Sequence, residues 1–338
     1  MSGGPLRDVR EISRLAYGFM GSKALFAALE AGVFTALADG PLTGPELSAA
    51  TGVAGNRLST LLSALAGLGL VVKADGGWAN APAAQRYLVD GAPEAFGDYY
   101  RLQIDALIYP MLQHLNAGIA GDTAGLAPGL AADQMADPHR ADRFSRAQHA
   151  GSLGPAAVLA RRVDLQGKRH LLDVAGGTGA FTIRLCQTHP DLMATIVDFP
   201  NVITLARQYV SEAGLDDRVQ FIEGNALDVS WPEADVVLLS YLLSAVGGDD
   251  IPLLLGRASR ALPAGGTLLL HDFMLDDDRL GPDLAALWFL QYLAERVDSV
   301  SFTAADLRVH LDALGFTDAS DEVLVPQITK LVSATAGG

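Results

Sequence analysis

The chain has 338 residues, a length that suits two domains, each with its own hydrophobic core. It carries 24 Lys and Arg against 39 Asp and Glu, and the formal net charge of −15 argues against nucleic acid as substrate or partner, because such binding depends on neutralising phosphates. The single cysteine, Cys186, excludes an internal disulfide, no Cys/His motif indicates a metal site, and no apolar run reaches the roughly 18 residues of a membrane span. We therefore expect a soluble, cytoplasmic protein without a bound metal or a membrane partner.

Helices with wide apolar faces open the chain, because apolar residues recur at helical spacing from Ile12 to Phe34. Thr43-Gly44-Pro45-Glu46 has the pattern of a capping box and predicts a helix to about Ala50, and a second helix is predicted from Asn56 to Ala66. The segment from Leu70 to Trp78 contains an Asp-Gly-Gly turn between apolar residues, which predicts a hairpin. Two helices and a hairpin in this order indicate a winged-helix arrangement.

The charge of this segment argues against DNA binding. From Pro41 to Asp90 there are three basic and three acidic residues, and the predicted recognition helix carries only Arg57. A helix that binds DNA presents several Lys or Arg to the phosphates. A regulatory role linked to DNA therefore remains only as an alternative.

Residues 96–163 are predicted to form helices joined by loops rich in Gly, Ala and Pro, among them Ala117 to Ala132. We interpret this segment as a helical connector that roofs the active site. Its polar and aromatic side chains are candidates for the substrate wall, namely Tyr99, Tyr100, Tyr109, His114, Phe144, Gln148 and His149.

From Arg169 onward the pattern alternates between strand and helix, which predicts right-handed crossovers and a mostly parallel sheet. The tail from Gly315 to Val332 predicts a closing antiparallel pair. Open parallel sheets bind ligands beyond the carboxyl ends of their strands, so functional residues are expected where strands end. The predicted strands are Leu171–Val174, Met193–Val197, Val219–Ile222, Ala234–Ser240 and Thr267–Phe273.

A glycine-rich turn follows the first of these strands. The sequence Asp173-Val174-Ala175-Gly176-Gly177-Thr178-Gly179 predicts a strand, a tight turn and a helix, and glycines there let the backbone approach a ligand closely. Asp198 ends the next strand, where an acid accepts hydrogen bonds from ribose hydroxyls. The third glycine of a dinucleotide-binding turn and a P-loop lysine are both missing. The pattern therefore favours a nucleoside without phosphates.

This turn resembles motif I of S-adenosylmethionine-dependent methyltransferases, D-x-G-x-G-x-G, with Ala175 in place of the first glycine. Together with Val197-Asp198-Phe199-Pro200 it makes the chain similar, over nearly its whole length, to the small-molecule O-methyltransferases of plant caffeate and microbial natural-product metabolism. The resemblance implies an α/β fold: a Rossmann-like class I methyltransferase domain (164–338), preceded by a mostly helical winged-helix domain (1–95) that forms a homodimer. It also implies S-adenosylmethionine as methyl donor and S-adenosylhomocysteine as product.

The resemblance assigns a cofactor site residue by residue. Gly177 and its neighbours pass under the methionine part, Asp198 holds the ribose, and Ser152 contacts the methionine carboxylate. Asn225 replaces an acid that contacts the adenine amino group, and its side-chain oxygen retains the ability to accept that hydrogen bond. Ser240 stands where plant enzymes carry a lysine. The predicted cofactor residues are Ser152, Asp173, Gly177, Gly179, Asp198, Phe199, Asn225, Ala226, Ser240 and Tyr241.

The histidine that serves as general base in this family is missing. Aligning 238–246 with the family's Leu-His-Asp-Trp motif puts Ser244 at the histidine position. Asp272 is the first candidate to replace it, followed by His149 and Glu295. The predicted substrate contacts are Phe144, Gln148, Ser244, His271, Trp288 and Tyr292, although the aromatic residues among 288–292 equally suit core packing.

The function predicted from these residues is O-methylation of a small aromatic natural product, as in antibiotic biosynthesis. Methylation of an electron-rich ring carbon, as in an indole, is the alternative that the missing histidine favours, because such a carbon carries no proton that must leave before attack. A related hydroxylase or decarboxylase and the DNA-binding regulator are further alternatives.

Overall fold

The computed structural model describes residues 4–122, 135–296 and 298–337. The chain divides into two compact units, Ser2–Tyr109 and Pro110–Gly338. This division differs from the domain limits predicted at 95 and 163, which remain predictions. Of the loop predicted over Ala117–Ala132, the part from 123 onward lies outside the described residues. Within the described ranges, no helix has both the length and the apolar character that crossing a membrane requires.

The N-terminal unit consists of short helices and one hairpin. The predicted capping box is present, because the Thr43 N–H donates to the Glu46 carboxylate (2.7 Å) and the Glu46 N–H donates to the Thr43 hydroxyl (3.4 Å). The predicted order of helix, helix and hairpin is confirmed. The elements are α1 (Val9–Ala16), α2 (Gly18–Glu30), α3 (Val33–Ala36), α4 (Gly44–Thr51), α5 (Gly55–Gly67), β1 (Val71–Ala74), β2 (Gly77–Asn80), α6 (Pro82–Tyr87) and a π-helix (Tyr99–Ile108).

The chain enters the C-terminal unit through α7 (Tyr109–Met111). This unit alternates strands with helices, as predicted. Its strands are β3 (His170–Val174), β4 (Met193–Asp198), β5 (Val219–Glu223), β6 (Val236–Ser240), β7 (Thr267–Phe273), β8 (Phe316–Val325) and β9 (Thr329–Ala336). Its helices are α8 (Leu115–Ile119), α9 (Pro138–Arg162), α10 (Ala180–Thr188), α11 (Pro200–Glu212), α12 (Asp250–Ala261), α13 (Asp283–Leu293) and α14 (Ala304–Ala313), with 3-10 turns at Leu112–His114 and Leu243–Ala245.

The strands form one seven-stranded sheet in the order β5-β4-β3-β6-β7-β9-β8. The first five strands are parallel, and β9 pairs antiparallel with both β7 and β8, which confirms the predicted closing pair. The strand order reverses between β3 and β6, and such a switch point is where open α/β sheets bind ligands. The carboxyl ends of β4, β3, β6 and β7 therefore lie side by side.

The central strands are buried on both faces, which their sequences explain. Leu171, Leu172 and Val174 in β3 and all apolar residues of β6 have essentially no exposed surface. Strands covered by helices on both faces are near-continuous apolar runs. Against that background the buried polar residues Asp173, His271 and Asp272 stand out, and all three lie toward strand ends.

Close packing of α8 against the end of α13 gives a test of this arrangement. A Cβ atom at Gly118 would lie 1.8 Å from the Leu293 carbonyl oxygen, so we expect Gly118→Ala to lower the free energy of unfolding by about 1–3 kcal/mol. Gly154→Ala in α9 is the matched control, because a Cβ atom there would meet nothing within 4 Å. We expect this substitution to raise the free energy of unfolding by up to about 1 kcal/mol, since alanine favours the helix more than glycine does. Urea denaturation followed by tryptophan fluorescence measures both, and a Gly118→Ala midpoint at or above that of the wild type would contradict the packing.

Candidate active site

The glycine turn after β3 has a strained backbone. Ala175, Gly177 and Gly179 all have positive φ angles, of 54°, 59° and 80°. A Cβ atom at Gly179 would come within 2.8 Å of the Ile196 side chain. Glycine adopts such angles freely, whereas at Ala175 the left-handed conformation costs about 1–2 kcal/mol. Ala175, which replaces the first glycine of the motif, therefore adopts a strained backbone conformation.

The Asp173 carboxyl group packs beneath this turn. A Cβ atom at Gly176 would lie 2.7 Å from the carboxyl carbon, so Gly176 is required for this contact although the sequence analysis did not select it. One carboxyl oxygen accepts a hydrogen bond from the Thr182 hydroxyl (2.6 Å), and the other is buried without a partner. Burial, with repulsion from Asp198, raises the pKa of Asp173 to about 7.

Asp198 lies at the end of β4, beside the turn. One carboxylate oxygen accepts a hydrogen bond from the Gly177 N–H (2.8 Å) and the other from the Phe199 N–H (2.7 Å). Burial raises the pKa of Asp198 to about 6, and the two N–H groups oppose that rise. Each oxygen has a further lone pair, so the carboxylate is fixed in place and still able to accept from hydroxyl groups.

The loop after β5 holds Asn225 and Ala226. The Asn225 side-chain oxygen accepts from the Leu227 N–H (3.0 Å), which closes an Asx turn. The Ala226 carbonyl accepts from the Trp231 indole N–H (3.0 Å). The Asn225 oxygen that is predicted to contact an adenine amino group therefore already uses one lone pair within its own loop. Only its second lone pair remains for the predicted contact with a ligand.

His271 and Asp272 are adjacent in β7 and point to opposite faces of the sheet. The His271 ring nitrogens hydrogen-bond the Ser240 and Thr329 hydroxyls, each at 2.9 Å, and burial lowers the pKa of His271 to about 3, so the ring is neutral. With both nitrogens occupied and no exposed surface, His271 lacks the geometry of the predicted substrate contact. The same bond commits Ser240 to the sheet interior, and the Tyr241 ring packs 4.6 Å from that of His271.

Asp272 faces the turn that carries Ser244. Its carboxylate accepts from the Ser244 N–H (3.0 Å) and the Phe273 N–H (2.8 Å). Burial raises the pKa of Asp272 to about 6, against the lowering effect of hydrogen bonds from Ser244 and Phe273. The Ser244 hydroxyl is buried and lies close to the Asp272 carboxylate and the Tyr292 hydroxyl group.

Helix α13 and the turn that follows it bring three further candidates to the same place. Trp288 stacks on Phe273 at 4.1 Å between ring centroids, and its buried indole nitrogen lies next to the Tyr292 hydroxyl group. Tyr292 is buried, and its pKa is raised by burial and by the nearby Asp272 charge. Burial raises the pKa of the partly buried Glu295 to about 7, against the charge of Arg296. These side chains, with Asp272 and Ser244, form what we call the acceptor cluster.

The candidates on α9 lie on the side of the glycine turn. His149 hydrogen-bonds the Thr178 hydroxyl (2.7 Å) and stacks on Tyr209 (3.9 Å between centroids), and burial lowers its pKa to about 4. It is therefore a neutral ring whose Nδ1 is engaged with the turn. Phe144 packs in one apolar cluster with Phe199.

Two other helical candidates have simpler surroundings. Ser152 is buried in α9, and Gln148, one position before His149, is partly buried. Sequence reasoning missed Thr178, Thr182, Gly176 and Thr329. Only the position of Thr182 in the first turn of the helix after the motif could have indicated its bond to Asp173. Across the part of the chain that the structure describes, no group of three or more His, Cys, Asp or Glu side chains could hold a metal ion.

Comparison with known proteins links both units to one enzyme family. Residues 13–90 match the O-methyltransferase dimerisation domain, and residues 122–317 match the O-methyltransferase domain. A 3-hydroxy-5-methyl-1-naphthoate 3-O-methyltransferase of Streptomyces sahachiroi is 33% identical over 83% of this chain and 82% of its own. The tetracenomycin polyketide synthesis 8-O-methyl transferase TcmO of Streptomyces glaucescens is 31% identical over 93% of each chain.

A solved structure extends the similarity to the fold. The crystal structure of human N-acetylserotonin methyltransferase in complex with SAM superposes with a TM-score of 0.86 at 25% identity, covering 99% of this chain and 100% of that one.

The raised pKa of Asp173 predicts a pH-dependent stability. In the folded protein Asp173 holds its proton up to about pH 7, whereas in the unfolded chain an aspartate releases its proton near pH 4. The stabilisation that the buried, protonated carboxyl group contributes is therefore complete below about pH 4 and is lost as the pH rises through about 7. From about pH 5.5 to about pH 7.5 we expect the wild type to lose about 2 kcal/mol of unfolding free energy more than Asp173→Asn does. Urea denaturation at both pH values measures the difference. The exposed Asp312→Asn is the control, and parallel pH profiles for Asp173→Asn and wild type would refute the assignment.

Proposed function

This chain belongs to the O-methyltransferase family and is an S-adenosylmethionine-dependent methyltransferase, and we propose that it methylates a hydroxyl group on a small aromatic natural product. Two relatives that match most of its length act, by their descriptions, on a hydroxynaphthoate and in polyketide synthesis. The matched dimerisation domain supports a homodimer.

The observation that carries the proposal is the juxtaposition of two groups of residues at the switch point of the sheet. Strands β3 and β4 end in the glycine turn and Asp198, and β6 and β7 end in the Ser244 turn and Asp272. Since β3 and β6 are paired neighbours, these two groups of residues lie side by side at the carboxyl end of the parallel strands. We assign the first group to the methyl donor and the second to the acceptor.

The donor side fits a nucleoside with a cationic tail. A Cβ atom at Gly177 would meet nothing within 4 Å, so the turn is open at that residue, and Asp198 beside it is fixed with lone pairs to spare. Asp198 would hold the ribose and the turn would pass beneath the methionine part. S-adenosylmethionine, when bound there, supplies a methyl group on a positively charged sulfur.

On the acceptor side, Asp272 is the residue we assign to proton transfer. With a pKa of about 6 it is ionised at neutral pH, and it lies beside Ser244, where the family's histidine is missing. Two backbone N–H groups stabilise its charge, so it is a weaker base than a histidine. A hydroxyl group that is already acidic, such as a phenol, suits this arrangement. The Phe273 and Trp288 pair supplies a flat apolar wall for the ring.

The alternative of carbon methylation finds no support in the relatives named above, both of which are described as O-methyltransferases. Analysis of the methylated product by NMR identifies the acceptor atom, and a new carbon–methyl bond would overturn the assignment to oxygen.

Calorimetry with S-adenosylmethionine and S-adenosylhomocysteine tests the donor side. We expect micromolar binding of both, and a loss of about 10- to 100-fold in Asp198→Ala, because the ribose would lose hydrogen bonds to a charged group. Asp312→Ala is the control for removal of an exposed carboxylate. If the wild type binds neither compound, the proposal fails.

The role of Asp272 predicts a pH-dependent rate. As the pH falls through about 6, Asp272 gains a proton and kcat/KM should fall. We expect Asp272→Asn to lower kcat/KM at neutral pH by at least about tenfold and to remove that inflection, with unchanged affinity for S-adenosylhomocysteine. An unchanged kcat/KM in Asp272→Asn would exclude Asp272 as the base.

A further inference from the structure

We propose that Ser244 and Tyr292 are positioning residues, because a chain of hydrogen bonds from Tyr292 through the Ser244 hydroxyl group to the Asp272 carboxylate keeps this carboxylate ionised and fixed in place. The inference rests on the proposed function, in which Asp272 takes the proton of the acceptor. It gives a role to the residue at the position of the family's histidine. Ser244 does not replace the missing base; it holds the group that does.

The turn that carries Ser244 is fixed through its backbone. The Ser244 N–H donates to the Asp272 carboxylate (3.0 Å), and the Ala245 carbonyl accepts from Arg296 (3.1 Å), which ties the turn to the segment after α13. Ser244 is only 3% exposed, and its hydroxyl group lies close to the Asp272 carboxylate and the Tyr292 hydroxyl group. The Ser244 hydroxyl group is therefore held next to both groups in the protein interior.

Tyr292 is anchored on its own helix. Trp288 and Tyr292 are four residues apart in α13, so their side chains lie on the same face. The Trp288 ring is stacked on Phe273 at 4.1 Å with an interplanar angle of 12°, and its indole nitrogen lies next to the Tyr292 hydroxyl group. Tyr292 is only 5% exposed. Its hydroxyl group is therefore held beside Trp288 on one side and Ser244 on the other.

The kinds of donor and acceptor determine the direction of every hydrogen bond in this chain. An indole N–H can only donate, and an ionised carboxylate can only accept. The Tyr292 oxygen therefore accepts from Trp288, and the Ser244 hydroxyl group donates to Asp272. The remaining proton, that of the Tyr292 hydroxyl group, is donated to the Ser244 oxygen. A hydroxyl group that accepts one hydrogen bond is a stronger donor in the next, so the chain strengthens the bond to Asp272.

Cations of the neighbouring elements are bound elsewhere and do not stabilise the Asp272 charge. Lys330 lies opposite Asp272 in β9, but its ammonium group donates to Asp276 (2.7 Å) and to the Leu275 carbonyl (3.0 Å). The charged and titratable side chains after α13 do not offset this: Arg296 is held by Asp298 (2.8 and 2.9 Å), and Glu295 is a further acid. His271 is neutral and points to the other face of the sheet.

The ionised state of Asp272 therefore depends on hydrogen bonds. Burial raises its pKa to about 6, and hydrogen bonds from the Ser244 side chain and from the Ser244 and Phe273 N–H groups oppose that rise. Without the Ser244 hydroxyl group, a larger part of Asp272 would be protonated at neutral pH. A protonated carboxyl group cannot take the proton of the acceptor.

Titration of Asp272 by NMR tests the inference without an acceptor. The full chain is labelled with ¹³C at the side-chain carboxyl carbons of aspartate, and Asp272→Asn identifies the Asp272 signal. We expect a midpoint of about 6 in the wild type. The midpoint should be about one pH unit higher in Ser244→Ala, which loses a hydrogen bond to a charged group, and about half a pH unit higher in Tyr292→Phe, which weakens that bond.

A double variant and two controls separate the possible outcomes. Tyr292→Phe combined with Ser244→Ala should raise the midpoint no further than Ser244→Ala alone, because Tyr292 acts through Ser244. The exposed Ser59→Ala and Tyr87→Phe in the N-terminal unit are the matched controls and should keep the wild-type midpoint.

An unchanged midpoint in Ser244→Ala or in Tyr292→Phe would overturn the inference, as would effects of the two substitutions that add. If Tyr292→Phe proves unstable, Ser244→Ala decides: a raised midpoint supports the inference and an unchanged one overturns it. The proposed function fails on separate evidence, namely if S-adenosylhomocysteine does not bind or if Asp272→Asn leaves kcat/KM unchanged.

Discussion

The burial of the Asp173 carboxyl group beneath the glycine turn is the constraint on which the donor side depends. The carboxyl group bonds to Thr182 on the following helix and touches the backbone of Gly176, so it joins strand, turn and helix at one point. Only a residue without a Cβ atom fits above it. Once the turn is fixed in this way, the Gly177 N–H faces Asp198, and the acid of the neighbouring strand is held as well. Burial in place of hydration explains why both carboxyl groups have raised pKa values.

The strand order then brings donor and acceptor sides together. Because the strand order reverses between β3 and β6, two strands that are more than sixty residues apart in the chain have their carboxyl ends next to each other. Methyl transfer requires alignment of the two reactants more than any reactive side chain. Backbone pairing between the strands fixes both strand ends and so meets this requirement for alignment. The side chains of the acceptor cluster therefore do not have to supply a strong base.

The acceptor cluster differs from the family pattern in a consistent way. Ser244 stands where the resemblance to the family places a basic histidine, and the buried Asp272 beside it accepts two backbone N–H groups. Both features make the protein a weaker base at this point, so the acceptor hydroxyl group has to be more acidic. The site is therefore suited to an acceptor whose hydroxyl group is itself acidic.

Local patterns in the sequence determined the strands, the capping box, the hairpin, the closing antiparallel pair and the positions of Asp173 and Asp198, because apolar periodicity, turn residues and strand ends act over a few neighbouring residues. The tertiary structure alone decided that Asp272 faces the cluster while His271 bonds to Ser240 and Thr329, that His149 supports the turn through Thr178, and that Trp288 stacks on Phe273. These contacts join residues that are distant in the chain, and which face of a strand or helix meets which neighbour depends on the packing of whole elements.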